Sequence, residues 1–407
     1  MQPSPSRPLS RRNFVQASTL GAGMILANAK TVFGSQANSA LHLGVIGCGG
    51  RGNADAGNFV RSTNTRVVAL SDLFPDRLEA TRDNIGKRQV DMGGSAIDAS
   101  RLYPGPGGYQ ELLASEIDMV LITSPAYFHP LHLEATVNAG KHVYCEKPVG
   151  VDVWGPKHVM EVGKKAEGKL SLMVGHQIRF SPQFQGVVER VHQGAIGTIV
   201  SGQAYFHTGR LNPHNRPGAS EQENRIRNWV FDQVLSGDII VEQNVHVLDI
   251  CNWFLQDHPI KAHGTGGRKA RVDVGDCWDH FIVTFWYPND VKLDFASSQY
   301  LVGWSDTRER MFGTDGVADT PYSGFPQILG KNKWRSDSDD PLSGADSLKM
   351  KKLEESIRSG KFVNEAQPGA ISTLTGVLGR LAAYGEKEVT WDEMMNSNLH
   401  LDAGLKL

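Results

Sequence analysis

The sequence predicts an α/β fold built in two halves. Three observations carry this. A glycine-rich turn near residue 50 joins an apolar strand pattern to a helical stretch, and short apolar runs then alternate with an amphipathic helix up to residue 150. Beyond that point, strand patterns alternate as in a half-buried sheet. The chain of 407 residues is long enough for two or three domains. We divide it into 1–40, a leader and linker, 41–150, a first domain, and 151–407, a second.

In chain order, Ser10-Arg11-Arg12-Asn13-Phe14-Val15-Gln16 precedes an uncharged stretch to Ala29 that is too short to span a bilayer. Paired arginines, Phe14 and the small-residue site at Ala27-Asn28-Ala29 predict a twin-arginine export signal, and so a periplasmic location or one otherwise outside the cytoplasmic membrane. No later run of 18 apolar residues predicts an integral membrane span. Lys and Arg total 42 against 44 for Asp and Glu, so no basic excess favours nucleic acid as a partner. The four cysteines, Cys48, Cys145, Cys251 and Cys277, lie far apart and read as buried free thiols.

Leu41 to Ile46 reads as a strand and runs into Gly47-Cys48-Gly49-Gly50-Arg51-Gly52 and a helical stretch through Val60. Gly-x-Gly-x-x-Gly in that setting suits a dinucleotide: Gly47 for the tight turn, Gly49 for backbone approach to a pyrophosphate, Gly52 for helix-on-strand packing. The helix N-terminus favours the negative charge. A second strand, Arg66 to Ser71, ends at Asp72, 20 residues beyond Gly52. A carboxylate there accepts ribose hydroxyls and repels a 2′-phosphate, so it favours NAD over NADP. Ile117 to Thr123 is a further strand, leading to Ser124-Pro125 and His129, and His142 to Cys145 is another, delivering Glu146-Lys147-Pro148.

Together the glycine loop, Asp72, Thr123-Ser124-Pro125 with His129, and Glu146-Lys147-Pro148 resemble the glucose-fructose oxidoreductase, inositol dehydrogenase and MocA family. The resemblance implies a Rossmann domain, then a larger α/β domain whose open, mostly antiparallel sheet floors a sugar site and often forms an oligomer interface, giving a homo-oligomer, dimer or tetramer. It implies cofactor contacts at Gly47, Gly49, Gly50, Arg51, Gly52, Asp72, Thr123, Pro125, His129, Glu146 and Lys147.

In the second half, Val174 to Phe180 leads from strand to helix, Ile199 to His207 is a strand, and residues 208–233 form a polar segment long enough to cover a substrate. Gly237 to Asp249 follows. There Glu242, His246 and Asp249 stand at i, i+4 and i+7, one face if helical. The resembled family runs Gly-Gly-x-x-x-Asp-x-Gly-x-His-x-x-Asp here, which puts His246 on its catalytic histidine while Glu242 replaces Asp and Asn244 replaces Gly. Histidine suits acid–base work because its ordinary pKa is about 6.5. Lys147 beside a cationic nicotinamide would have its own pKa lowered and share the task. We assign Lys147, His246 and Glu242 to catalysis, and Arg179, His176, His207, Asp249 and Trp229 to a sugar or glycoside substrate. No metal is expected, since no further pair is spaced to complete a zinc site with Glu242 and His246. Cys277 to Tyr287 and Val291 to Tyr300 form a hairpin around Pro288-Asn289-Asp290, residues 331–344 a loop, and Leu348 to Arg358 and Gly369 to Tyr384 two helices.

NAD is not freely supplied outside the membrane, so export predicts a cofactor held tightly and recycled. Two activities meet that demand: paired oxidation and reduction of sugars, and redox-neutral glycosidic cleavage by oxidation, elimination and re-reduction. A sugar-binding protein without catalysis would have no need of Lys147 and His246.

Overall fold

The computed structural model describes residues 39–407, so the export motif at residues 10–29 lies outside the described residues. The first layer is a six-stranded sheet ordered β3-β2-β1-β4-β5-β6. Its strands are β1 (Leu41–Ile46), β2 (Thr65–Asp72), β3 (Leu102–Pro104), β4 (Met119–Ile122), β5 (His142–Cys145) and β6 (Leu172–Val174). β2 with β3, β1 with β4, β4 with β5 and β5 with β6 pair in parallel. All four residues of β4 are buried, as expected for a strand covered on both faces. The covering helices are α1 (Gly50–Ser62), α2 (Pro75–Asp91), α3 (Gly108–Ala114), α4 (His129–Asn138) and α5 (Trp154–Ala166). This sheet runs past residue 150: β6 pairs Leu172 with Val143 and Val174 with Cys145.

Next come α6 (Pro182–His192), β7 (Ile199–Gly209), α7 (Glu221–Arg227), α8 (Gln233–Ser236), α9 (Ile239–Glu242) and α10 (Val245–Leu255). The second sheet is completed by β8 (Lys261–Gly267), β9 (His280–Trp286), β10 (Lys292–Leu301), β11 (Asp306–Gly313), β12 (Gly316–Pro321), β13 (Gln327–Gly330), β14 (Trp334–Arg335) and β15 (Val389–Thr390). Its order is β14-β13-β12-β11-β7-β10-β9-β8-β15. Its neighbouring strands pair antiparallel except β7 with β10. The expected loop at 331–344 thus contains a short edge strand, β14. The chain ends with α11 (Ala345–Ser359), α12 (Ala366–Gly385) and α13 (Trp391–Asn396).

One face of the second sheet carries the core: Phe281, Val283, Phe285, Leu293, Phe295 and Met311 cluster with Val247, Leu248 and Cys251 of α10 and Leu374, Val377 and Leu378 of α12. Burying each such side chain contributes roughly 1.5–3 kcal/mol. α12 packs against both sheets. A Cβ on Gly369 would stand 2.8 Å from Val174 of β6, and one on Gly379 would stand 2.7 Å from Phe285 of β9. These glycines cost helix propensity, about 1 kcal/mol each, and in return let one helix lie close to both layers. All four cysteines are buried and unpaired. Among the described residues no helix is long and apolar enough to cross a membrane.

Candidate functional site

The strand order of the first sheet reverses between β1 and β4, and the loops after these strands meet there. Gly47 takes φ +97°, a left-handed conformation, and its amide donates to Ser71 O at 2.8 Å. The Thr123 hydroxyl donates to Gly47 O at 2.6 Å, so the loop after β4 props the glycine turn. Asp72 braces it from the other side: its carboxylate accepts the Cys48 amide at 2.7 Å and the Phe74 amide at 2.9 Å. Burial raises the Asp72 pKa against those two bonds. Beside the turn lies a cleft of about 260 Å³ lined by Gly47, Asp72, Phe74, Arg77, Tyr109, Pro125 and others.

A Cβ built on Gly50 meets nothing within 4 Å, and one on Gly49 meets only Arg77, at 3.9 Å. The backbone at the N-terminus of α1 is therefore open to an approaching anionic group, with the cleft alongside. These residues fit a dinucleotide. His129 takes no part in lining that cleft. Its ring is fully buried between Ser124 O, at 2.7 Å, and Pro148 O, at 2.6 Å, so it ties the loop after β4 to the loop after β5.

Arg51 turns away from the glycine loop to gather carboxylates. Its guanidinium lies 3.0 Å from Glu146 Oε1, 3.1 Å from Asp346 Oδ1 of α11 and 3.0 Å from Asp55 Oδ2. Burial pushes the Glu146 carboxyl up, but the charges of Arg51 and Lys147 outweigh it and hold the group below the usual range. Glu146 therefore anchors Arg51 and, through the Lys147 amide at 3.2 Å, the residue that follows it.

Lys147 leaves the carboxyl end of β5 and crosses to the second half. Its Nζ donates to Glu242 O at 2.6 Å and to Glu242 Oε1 at 3.1 Å. Glu242 does not share a helix with His246 and Asp249, as the i, i+4, i+7 spacing suggests. α9 ends at Glu242, and the chain turns through Gln243 and Asn244 before α10 begins. Asp238, fully buried and at φ +69°, caps α9. Its carboxylate accepts the Ile239 amide at 2.5 Å, the Trp278 amide at 2.9 Å and the Tyr384 hydroxyl. Burial pushes its pKa up to about 6 against these bonds. Sequence reasoning passed over it as a positioning residue, although a Gly-Asp pair before an apolar run is a cap signal.

His246 opens α10, and its Nδ1 is enclosed without a partner. Burial first, then the nearby Lys147, His176 and Arg51, hold its pKa well below the ordinary value, so the ring is neutral at physiological pH. His176 meets it edge-on with centroids 6.5 Å apart. One turn further along, Asp249 is locked in an ion pair: Arg179 reaches it at 2.8 and 3.0 Å and Ser372 at 2.6 Å. Burial would raise the Asp249 pKa, but Arg179 and His176 hold it far below the carboxylate range.

Lys147, Glu242, His246, His176, Asp249 and Arg179 are thus brought together, and two predicted substrate residues are not. His207 stands on the outer face of the second sheet, hydrogen-bonded to Ser298 at 2.9 Å and tilted against the Trp304 ring at 5.7 Å, away from the face that packs on α10. Trp229 packs with the apolar cluster of Phe74, Ile226, Leu235 and Ala403. Among the described residues no three His, Cys, Asp or Glu side chains converge to hold a metal ion.

His176 gives a pH prediction. Burial holds it at about 4 although Asp249 pulls the other way. Its folded pKa lies below the unfolded value of about 6.5, so the stability it contributes is present above pH 6.5 and is lost as pH falls towards 4, up to roughly 3 kcal/mol. Denaturant melts at pH 7.5 and 4.5 are expected to show a larger loss for the wild type than for His176→Asn. Equal losses would refute the assignment. Asp238 titrates identically in both proteins and cancels in the difference.

Comparison with known proteins matches residues 41–176 to an oxidoreductase family with an NAD-binding Rossmann fold, and residues 184–319 to the GFO/IDH/MocA C-terminal domain. An inositol 2-dehydrogenase of Rhizobium meliloti is 27% identical over 277 residues, 68% of this chain and 71% of that protein. Among solved structures, the aldose-aldose oxidoreductase of Caulobacter crescentus complexed with glycerol superposes with a TM-score of 0.70 at 18% identity, over 86% of this chain and 99% of that one. The scyllo-inositol dehydrogenase of Lactobacillus casei with bound NAD(H) and scyllo-inositol gives a TM-score of 0.66 at 18% identity, over 86% and 99%. These two likenesses establish the fold, an N-terminal parallel sheet followed by a mixed, mostly antiparallel one.

Proposed function

Because the chain belongs to the GFO/IDH/MocA family of NAD-binding oxidoreductases, we propose that it oxidises a secondary hydroxyl of a polyol or sugar, with Lys147, Glu242 and His246 managing the proton. One observation carries this reading. At the carboxyl edge of β5, Lys147 of one half is ion-paired to Glu242 of the other beside a histidine held neutral. A nicotinamide dinucleotide, when bound, supplies the hydride acceptor. The neutral His246 ring accepts the hydroxyl proton as the carbon loses its hydride, and the alcohol becomes a carbonyl. Lys147, held in place by Glu242 at 3.1 Å, donates to the developing alkoxide and lowers the barrier electrostatically. Asp249 and Arg179 neutralise each other next to His176 and fix the floor beneath α10.

Asp72 at the mouth of the cleft favours NAD over NADP in this reading, because a 2′-phosphate would meet a carboxylate. The twin-arginine motif supports export, and export supports a cofactor that is kept and recycled. We place self-association on the outer face of the second sheet and the loop beside it, where Ile282, Tyr300, Val302 and Trp304 are exposed. Nothing in the site favours the glycosidic elimination cycle over net hydride transfer.

The test is to purify the protein, measure its mass by light scattering, identify any nucleotide released on denaturation, and then offer polyols, aldoses and glycosides with and without added NAD. The expected result is an oligomer carrying NAD that oxidises a polyol or aldose. Absence of nucleotide binding would overturn the reading, glycoside cleavage without NADH would replace it with the elimination cycle, and a monomer would remove the interface.

A further inference from the structure

The dinucleotide cleft is bordered by two residues from outside the first half of the chain, Ile226 of α7 and Leu407. Each belongs to an element fastened over the mouth of the cleft. Asp76, in the first turn of α2, receives Arg227 in a bidentate pair at 2.8 and 3.1 Å, and Arg216 at 3.1 Å. The same Arg227 is largely enclosed, lies 4.0 Å over the Phe74 ring and is braced by Glu223 at 2.8 Å. Residues 399–407 have no regular secondary structure and run as a strap across the first half. Leu399 O accepts the Trp154 amide at 3.0 Å, and the Leu401 amide donates to Asp152 at 2.7 Å. The strap is then gripped by α7: Arg225 donates to Ala403 O at 2.6 Å, and Gln222 exchanges two hydrogen bonds of 2.9 Å with the Lys406 backbone. Phe74, Ile226, Leu235 and Ala403 form a small apolar cluster beneath, separate from the main cores.

We propose that α7 and the strap form a clasp that sets how fast a dinucleotide enters and leaves the cleft. The inference rests on the dinucleotide reading above and adds its kinetics. The polar segment at 208–233, which by its length and charge suits a substrate cover, is fastened through Arg216 and Arg227 to the residue four positions past Asp72, at the cofactor end of the cleft. The fastening is charged and polar around a small apolar cluster, so it can open locally without disturbing the main cores. A clasp differs from an ordinary binding contact in its kinetics. If ligand passes only through the open form, loosening the clasp raises the association and dissociation rate constants together and leaves Kd nearly unchanged, whereas losing a contact raises dissociation alone.

The experiment follows NADH fluorescence in stopped flow, on mixing with protein and on displacement by excess NAD, for the wild type, Asp76→Asn, Gln222→Ala and the double variant. Asp76→Asn loses both arginine pairs while keeping the side-chain shape, and Gln222 is a surface grip whose loss leaves the fold intact. Each single variant is expected to raise both rate constants about tenfold, with Kd within about threefold and an unchanged melting temperature for Gln222→Ala. Unchanged rate constants in both variants, or faster release without faster entry, would overturn the clasp. No NADH binding by the wild type would instead defeat the dinucleotide reading on which it rests.

Discussion

Lys147→Met is expected to lower kcat about 10²- to 10⁴-fold while dinucleotide affinity stays within a few-fold of the wild type. Methionine matches the length of the lysine stem but cannot donate, so the reacting hydroxyl loses its positive neighbour and Glu242 loses the ammonium 3.1 Å away. The cleft against Asp72 and Phe74 does not include Lys147 and is untouched. Steady-state kinetics with a saturating polyol, beside an NADH titration, separate the two effects. His246→Gln is expected to show a loss of similar size with a different pH profile. The wild-type rate falls on the acid side as His246 gains a proton at its depressed pKa, and a glutamine removes that limb. A kcat within a few-fold of wild type for Lys147→Met would remove the lysine from the proposed mechanism.

The second large effect concerns Gly52. A Cβ there would stand 2.1 Å from Gly47 O, within the turn itself, and 2.8 Å from the Thr123 hydroxyl that props it. Backbone cannot yield as a flexible side chain can, so Gly52→Ala must push α1 away from β1 or deform the turn. Overpacking of this kind costs roughly 1–3 kcal/mol. Because the displaced atoms are those that face the ligand, dinucleotide affinity is expected to fall at least about 100-fold, with a lowered melting temperature. Gly50→Ala is the informative partner. Its Cβ meets no protein atom within 4 Å, so the melting temperature should hold while affinity falls through collision with the ligand alone. Wild-type binding by Gly52→Ala would mean that the turn is not the dinucleotide cradle.

These two sites were legible in the sequence for the same reason. Each is specified within a few residues, by a strand that ends, a glycine or lysine placed at its carboxyl edge and a helix that begins. Features that depend on tertiary placement were not. β3 is three residues ending in Pro104 and carries no period of its own. The break between α9 and α10 is invisible because Glu242, His246 and Asp249 keep a helical spacing across it. His207 sits in a strand whose alternation is plain, but which face is buried is decided only when β7 pairs with β10 and β11 and α10 covers the opposite side. Arg227 looks like any helix-surface arginine until the fold brings Asp76 against it, 151 positions earlier in the chain.

The glycines of α12 bear on how such a protein can be rebuilt. That helix is seated against β6 at Gly369 and against β9 at Gly379, so a segment near the end of the chain completes the packing of the first sheet as well as the second. The halves are therefore not interchangeable cassettes. A chimera that grafts residues 41–176 onto a relative's second half inherits a foreign helix against Val174, where one added methyl group is already too much. Swapping substrate ranges between members of the family requires the segment at 366–385 to travel with the sheet it was shaped against.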